Sequence, residues 1–284
     1  MHHSQNFISI FEICMYKFKV IGSPVSQSKS PEIFNFIFNT LDIKANYQAV
    51  EITNLHELKE FIKKSKKNGT LGLNITMPYK EQLNSLINKR DNVSRITQSI
   101  NCIKIVNNKI IGYNNDYFGF KKLIEINKIN IENSNNIVLG SGGSARTIIL
   151  YLINNKAKNI TILARNKDTS LKIIENFKII NKPGSIKLYD ENSVYKNYNL
   201  INCTPIGLKK NTSKTILSKV YHIDFNFIID INYIYKNDFL KLSYKKIITG
   251  ETMFVFQAFK SLDIWFESNI SDKLDYMEIQ KLLC

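Results

Sequence analysis

The sequence predicts an α/β protein built as two units. Strand-like apolar runs alternate with amphipathic helical patterns from residue 15 onward, the order that yields layered α/β architecture. Near residue 117 the alternation restarts as repeated strand–helix–strand units, which build a parallel sheet. The chain then closes on a strongly apolar helical segment, "GETMFVFQAFKSLDIWFE", which is available to pack back on the first unit.

The elements follow in order. "MYKFKVIG" is strand-like from Met15, whereas residues 1–14 carry no pattern and read as an extension outside the fold. "EIFNFIFNTLD" places Ile33, Phe34, Ile37, Phe38 and Leu41 at helical spacing. "NYQAVEI" is a short strand, and "NLHELKEFIKKSKKNG" is an amphipathic helix closed by Gly69. "LGLNIT" is a strand, after which Pro78 opens a further helical pattern, "YKEQLNSLI". In the second unit, "FGFKKLIEIN", "SARTIILYLINN" and "TSLKIIENFKII" are helical. "NNIVLG", "NITILAR" and "NFIIDINY" are strands between and after them, and "YNLINCTPIG" is a strand running into a loop. The units are bounded as 15–116 plus 250–284 for the first, with 117–249 for the second.

Composition narrows the function classes. The 284 residues are 44% hydrophobic, with 17 Phe and 14 Tyr, a globular balance rather than a disordered one. No apolar run reaches the roughly 20 residues of a membrane span. The start lacks a basic n-region, and Glu12 breaks its short apolar patch, so it does not read as a signal peptide. Cysteines at 14, 102, 203 and 284 are scattered and lack metal-ligand spacing. That pattern fits a reducing cytoplasm, no disulfide framework and no metal site. The net charge of +15 is spread along the chain among many Asn and Ile. Lys, Asn and Ile share A/T-rich codons, and no nucleic-acid module or aromatic–basic interleaving occurs. The basic surface is therefore read as favouring small anionic ligands, not nucleic acid.

"NNIVLGSGGSARTIILYL" carries Gly140, Ser141, Gly142, Gly143, Ser144 and Ala145 between a strand and a helix. This is the G-x-G-x-x-A pattern in the context that gives it meaning. Gly140 permits the tight turn, Gly142 lets backbone approach a pyrophosphate at the helix N-terminus, and Ala145 allows close helix–strand packing. The second unit therefore reads as a Rossmann-type dinucleotide-binding domain. Its next strand ends on Arg165, with Lys167 nearby and no acid before Asp168. A guanidinium there suits a ribose 2′-phosphate, so NADP is the expected cofactor.

Three polar clusters sit beside apolar strand ends: Asn74, Thr76 and Lys80 in "NITMPYK", Asn101 in "SINCIKI", and Asn114, Asn115 and Asp116 in "GYNNDYFGF". With "GSPVSQSKSP", "VLGSGGSAR", "LINCTPIGL", "IIDINY" and the C-terminal "GETMFVFQAFKSLDIWF", they occur in the order found in the shikimate dehydrogenases. The chain resembles that family from about Met15 to Trp265. The resemblance implies a two-domain enzyme with the active site in the cleft between its domains. It would reduce 3-dehydroshikimate to shikimate with NADPH, in aromatic amino acid biosynthesis.

By the same resemblance, Lys80 and Asp116 form the catalytic pair. Hydride delivery to a ketone generates an alkoxide, which a lysine ammonium can protonate. A neighbouring carboxylate favours the charged lysine. Ser28 and Ser30 would hold the substrate carboxylate with help from Tyr233. If that stretch is extended, residues i and i+2 share a face, and Lys29 between them points away. Thr76, Asn101 and Gln257 would hold ring hydroxyls. Thr204 would contact the cofactor, and Gly250 would let backbone approach the nicotinamide. An NAD-dependent quinate/shikimate dehydrogenase and a catalytically inactive binding paralogue are the rival readings. The expected partner is a small molecule and the expected state a monomer or homodimer.

Overall fold

Two six-stranded sheets organise the chain. The computed structural model describes residues 15–178, 186–206, 214–233 and 238–283, and the stretch 1–14 lies outside them. The first sheet contains β1 (Tyr16–Gly22), β2 (Ala45–Glu51), β3 (Thr70–Ile75), β4 (Lys89–Arg90), β5 (Cys102–Val106) and β6 (Lys109–Tyr113). Their order is β2-β1-β3-β5-β6-β4. β1 runs parallel to both β2 and β3, whereas β5 is antiparallel to β3 and β6. The parallel crossovers are α1 (Ser30–Thr40) and α2 (Leu55–Lys67). Asn54 caps α2, its Oδ1 accepting from Glu57 N at 2.9 Å. The helix stops at Asn68, just before Gly69 takes φ 74°.

The second sheet contains β7 (Asn135–Leu139), β8 (Asn159–Leu163), β9 (Ile186–Leu188), β10 (Tyr198–Asn202), β11 (Asp224–Asp230) and β12 (Ser243–Thr249). All its pairings are parallel, in the order β12-β11-β10-β7-β8-β9. Counted from β7, this is the doubly wound order 3-2-1-4-5-6. The order reverses between β7 and β10, and ligands of such sheets bind beyond the strand ends at that point. The helices that accompany this sheet are α4 (Asp116–Ile126), α5 (Gly143–Asn154), α6 (Lys167–Lys178) and the short α7 (Lys214–Leu217).

The C-terminal helices α8 (Glu251–Phe266) and α9 (Tyr276–Lys281) return to the first sheet. Val255, Ala258, Leu262, Trp265 and Ile279 share one core with Phe18 and Phe34. The Trp265 indole stacks on Phe18 at 4.6 Å between centroids and donates to Ile103 O at 2.9 Å. Gly72 leaves the room that this indole occupies. α4 joins the two halves. Phe120 and Leu123 enter the core that also holds Val138 and Ile148. On its other side α4 meets α8 at Gly119, where a side chain would collide with the Met253 carbonyl.

Several elements differ from the sequence reading. "YKEQLNSLI" is not a helix. Tyr79 N donates to Thr76 O, Gln82 N to Tyr79 O and Leu86 N to Leu83 O, a run of separate turns. The Lys80 carbonyl, which a helix would need, accepts instead from Ile100 N at 2.8 Å. Its helical spacing is nonetheless used, because Tyr79 and Leu83 are buried in one core cluster. The two-residue β4, a short helix α3 (Asn92–Thr97), β9, β12 and α9 carry too few patterned residues to be read locally. The stretch holding Ser28 and Ser30 is not extended. Ser28 N donates to Val25 O in a turn, Lys29 sits in the right-handed helical region, and Ser30 begins α1. Pro31 fits this geometry, since proline is tolerated in the first helical turn.

Candidate active site

The C-terminal ends of β1 and β3, the loop before β5, the start of α4 and the first turn of α5 converge. Lys80 lies in the turn after β3. Its Nζ is 2.7 Å from Asp116 Oδ2 and donates to Ser144 Oγ at 3.2 Å. Asp116 is the first residue of α4 and is only 7% exposed at its side chain. Asn101 Nδ2 donates to Asp116 Oδ1 at 2.7 Å, so both carboxylate oxygens are engaged. Asn101 Oδ1 in turn accepts from Asn115 N at 2.7 Å. A lysine ammonium held by an oriented carboxylate is a proton donor with a fixed aim.

Behind this pair runs a chain of buried amides and hydroxyls. Asn74 Nδ2 donates to Asn101 O at 3.2 Å and to Ser261 Oγ at 3.1 Å. Asn115 Nδ2 donates to the same Ser261 hydroxyl at 3.0 Å. Asn74 Oδ1 accepts from the buried Tyr47 hydroxyl at 2.7 Å. Tyr47 also meets the Ser30 side chain, and burial holds its pKa well above the usual phenol value. Tyr233 meets the Ser28 hydroxyl and the Lys29 backbone; burial raises its pKa as well. Its ring packs on Phe254 at 4.1 Å between centroids. Ser28, Ser30 and Tyr233 are thus brought together at the N-terminus of α1, where backbone N–H groups lack helical acceptors. Lys29 turns to Glu32, 2.7 Å away.

Thr76 sits beside the end of β1, in the space left by Gly22. Gln257 donates to Phe254 O of its own helix at 3.0 Å. Its Cβ lies 3.2 Å from where a Gly119 side chain would begin. Gly119 is about one turn from Asp116 on α4, so Gln257 backs the Asp116 face of that helix.

The glycine-rich turn joins β7 to α5. Gly140 takes φ 106°, a conformation that side-chain-bearing residues rarely adopt. A Cβ there would also stand 3.0 Å from Thr204 Cγ2. Beside Gly142 the nearest group is Glu81 Oε1 at 3.6 Å from the built Cβ position, which leaves backbone accessible. Gly143 is tighter: a Cβ would meet Ser99 Oγ and come within 3.0 Å of Lys80 Cβ. Ser141 is half-buried, and Ala145 is fully buried against the sheet. The first-turn N–H groups of α5 have no intrahelical acceptors. Arg165 and Lys167 stand exposed at the end of β8, and among the described residues neither forms an ion pair. A helix N-terminus beyond a left-handed glycine, with two cations that form no ion pair among the described residues at the next strand end, fits a phosphorylated dinucleotide.

Two placements differ in kind from the sequence reading. The Thr204 hydroxyl is turned inward, donating to Asn202 Oδ1 at 2.6 Å, so its methyl faces Gly140. At Gly250 a side chain would collide with the Ile231 backbone, so the close approach seen there is one chain segment on another. The sequence reading also missed the bonds that Tyr47, Ser144 and Ser261 make, for which no local signal existed. Asp230, at the end of β11, was missed too; burial pushes its pKa up to about 6 against the hydrogen bonds of Asn202 and Asn232. Cys102 and Cys203 are free thiols. Among the described residues, no cluster of His, Cys, Asp or Glu could hold a metal ion, and no helix is long and apolar enough to cross a membrane.

An α/β substrate half, a doubly wound sheet with a nucleotide turn, and a lysine–aspartate pair where they meet define a dinucleotide-dependent dehydrogenase. Residues 20–103 match the shikimate dehydrogenase substrate binding domain. A shikimate dehydrogenase (NADP(+)) of Clostridium perfringens is 32% identical over 275 residues, covering 95% of this chain and 99% of that protein. Its counterpart in Clostridium beijerinckii is 34% identical over 261 residues, covering 90% and 93%. Among solved structures, a chorismate mutase/shikimate 5-dehydrogenase fusion protein from Clostridium acetobutylicum is 30% identical with a TM-score of 0.77, covering 95% of this chain and 96% of that one. The fold is shared with shikimate dehydrogenase from Aquifex aeolicus at a TM-score of 0.79 and 24% identity, covering 95% and 97%. The chain belongs to the shikimate dehydrogenase family.

Proposed function

We propose that the chain catalyses the reversible NADPH-dependent reduction of 3-dehydroshikimate to shikimate, a step of aromatic amino acid biosynthesis. The observation that carries this reading is the Lys80–Asp116 pair, at 2.7 Å, beside the first turn of the nucleotide-binding helix. When bound, NADPH supplies hydride to the substrate ketone. Lys80 gives its proton to the oxygen as negative charge develops there, and takes it back in the reverse direction. Asp116 pairs with the ammonium and aims it, and Asn101 fixes the carboxylate by occupying its other oxygen. Ser28, Ser30 and Tyr233, at the N-terminus of α1, receive the substrate carboxylate, where the helix end favours an anion. Thr76, Asn101 and Gln257 lie toward the ring hydroxyls. Gly140, Ser141, Gly142, Gly143, Ser144 and Ala145 form the pyrophosphate turn, Thr204 contacts the cofactor beside Gly140, and Gly250 borders the nicotinamide. Arg165 and Lys167 take the 2′-phosphate, since a planar guanidinium matches phosphate geometry.

Residues 15–116 with 250–284 act as the substrate-binding unit and 117–249 as the cofactor-binding unit, in a monomer or homodimer of the cytoplasm. Initial rates of shikimate oxidation with NADP and NAD test the assignment. Turnover with shikimate and preference for NADP are expected. Faster oxidation of quinate with NAD would assign the chain to the quinate/shikimate branch, and absence of turnover with either acid would overturn the enzymatic reading.

A further inference from the structure

One buried carboxylate takes no part in the chemistry above. Asp230 closes β11 and pairs in register with Asn202 at the end of β10, which pairs in turn with Leu139, the residue before Gly140. It therefore stands one strand beyond the point where the strand order reverses, and it is only 6% exposed. Its Oδ1 accepts from Asn202 Nδ2 at 2.9 Å, from Asn232 Nδ2 at 2.9 Å and from Asn232 N at 3.1 Å. A carboxylate taken out of water costs free energy, so its retention asks what those donors hold in place.

They hold the loop after β10. Asn202 Oδ1 accepts from Thr204 N at 3.0 Å and from Thr204 Oγ1 at 2.6 Å. Asn232 Nδ2 reaches Thr204 O at 3.0 Å and Ile206 O at 3.3 Å. The Thr204 hydroxyl accepts from Ile206 N at 3.2 Å. Every polar group of Thr204 is thus bound within the network, and its methyl is presented to Gly140. The two asparagine amides are themselves oriented by Asp230, because each has its NH2 on the carboxylate. Rotating either amide would place an amide oxygen against a carboxylate oxygen.

We propose that Asp230 is a positioning residue for cofactor binding: through Asn202 and Asn232 it fixes the residue 203–206 loop against the glycine turn. This rests on the reading of that turn as the NADPH site. The carboxylate does not touch the reacting atoms. Its removal therefore weakens cofactor binding and leaves the chemical step intact.

The test is steady-state kinetics of 3-dehydroshikimate reduction with NADPH varied, together with thermal melts, for the unmodified chain and for Asp230→Ala, Asn232→Ala and Asp230→Asn. Asp230→Ala and Asn232→Ala are each expected to raise the NADPH KM about tenfold, the worth of one hydrogen bond to a charged group, with kcat at saturation retained. Asp230→Asn keeps an acceptor in place and is expected to recover most of that loss. If Asp230→Ala does not fold, Asn232→Ala decides, since it leaves the carboxylate paired with Asn202. An unchanged NADPH KM in a folded variant overturns the proposal, as does a lowered kcat with KM unmoved, which marks a smaller folded fraction. Failure of the unmodified chain to use NADPH overturns the cofactor reading and the proposal with it.

Discussion

The two ends of the candidate site are built on opposite principles. At the Lys80–Asp116 end, side chains are buried and bonded in series, from Tyr47 through Asn74, Ser261, Asn115 and Asn101 to the carboxylate. At the Arg165 end, two cations stand exposed at a strand end with no ion pair among the described residues. Proton transfer demands a fixed distance and angle, and the buried hydrogen-bond network would hold the proposed pair to both. A phosphate can be met by flexible cations, because charge attraction tolerates small displacements and the positive helix end supplies the geometry.

This contrast can be broken in four ways. The largest effect belongs to the rigid end. Lys80→Ala is expected to lower kcat by about 10²–10⁴-fold with little change in the KM for 3-dehydroshikimate, the loss of general acid–base catalysis; near-normal turnover in initial-rate assays would remove the lysine from the mechanism. At the open end, Arg165→Ala is expected to raise the NADPH KM about 10- to 100-fold while leaving kcat and the weak use of NADH unchanged, the loss of a charge-assisted phosphate contact. An equal loss with NADH would show that the arginine does not read the 2′-phosphate.

The α1 terminus is intermediate, being part turn and part helix. Ser28→Ala combined with Ser30→Ala is expected to raise the KM for 3-dehydroshikimate about tenfold, as lost hydroxyl donors to a charged group would. An unchanged KM would leave the carboxylate to the helix backbone alone. The smallest effect concerns stability. Burial raises the Asp230 pKa to about 6, with Glu251 acting in the same direction. The folded state therefore holds its proton more tightly than the unfolded chain, whose carboxylates titrate near 4. Stability falls as pH rises between those values, and the penalty persists above pH 6. Asp230→Asn has no such penalty, so its Tm should exceed the parent's by a few degrees at pH 7.5. That gap should close as pH falls through 6; a gap independent of pH would show that the carboxylate is not the titrating group.

Legibility in the sequence followed the same division. Periodicity revealed β1, α2, β7, α5, β8 and α8, because each buries a continuous apolar face that its own residues encode. Gly140, Gly142 and Ala145 were readable because a tight turn into a helix restricts residue type locally. Lys80 and Asp116 were recognisable only through a family resemblance, since they lie apart in the chain and nothing in either neighbourhood reports the other. The helix expected after Pro78 failed because its spacing was real while the Lys80 carbonyl had a partner in Ile100. The extended reading of Ser28 and Ser30 failed because Ser30 belongs to the helix that Pro31 helps to start.

The sequence by itself determined the α/β alternation, the nucleotide turn, the cationic end of β8 and the apolar return helix. Each of these is a constraint carried by residues within a few positions of one another. Only the tertiary structure decided that Asn101 orients Asp116, that Ser144 reaches Lys80, and that Asp230 steadies the loop at Thr204. These are hydrogen bonds between strand ends and helix starts far apart in the chain. Such bonds leave no periodic trace, because their geometry is fixed by the register of two sheets and not by any local run of side chains.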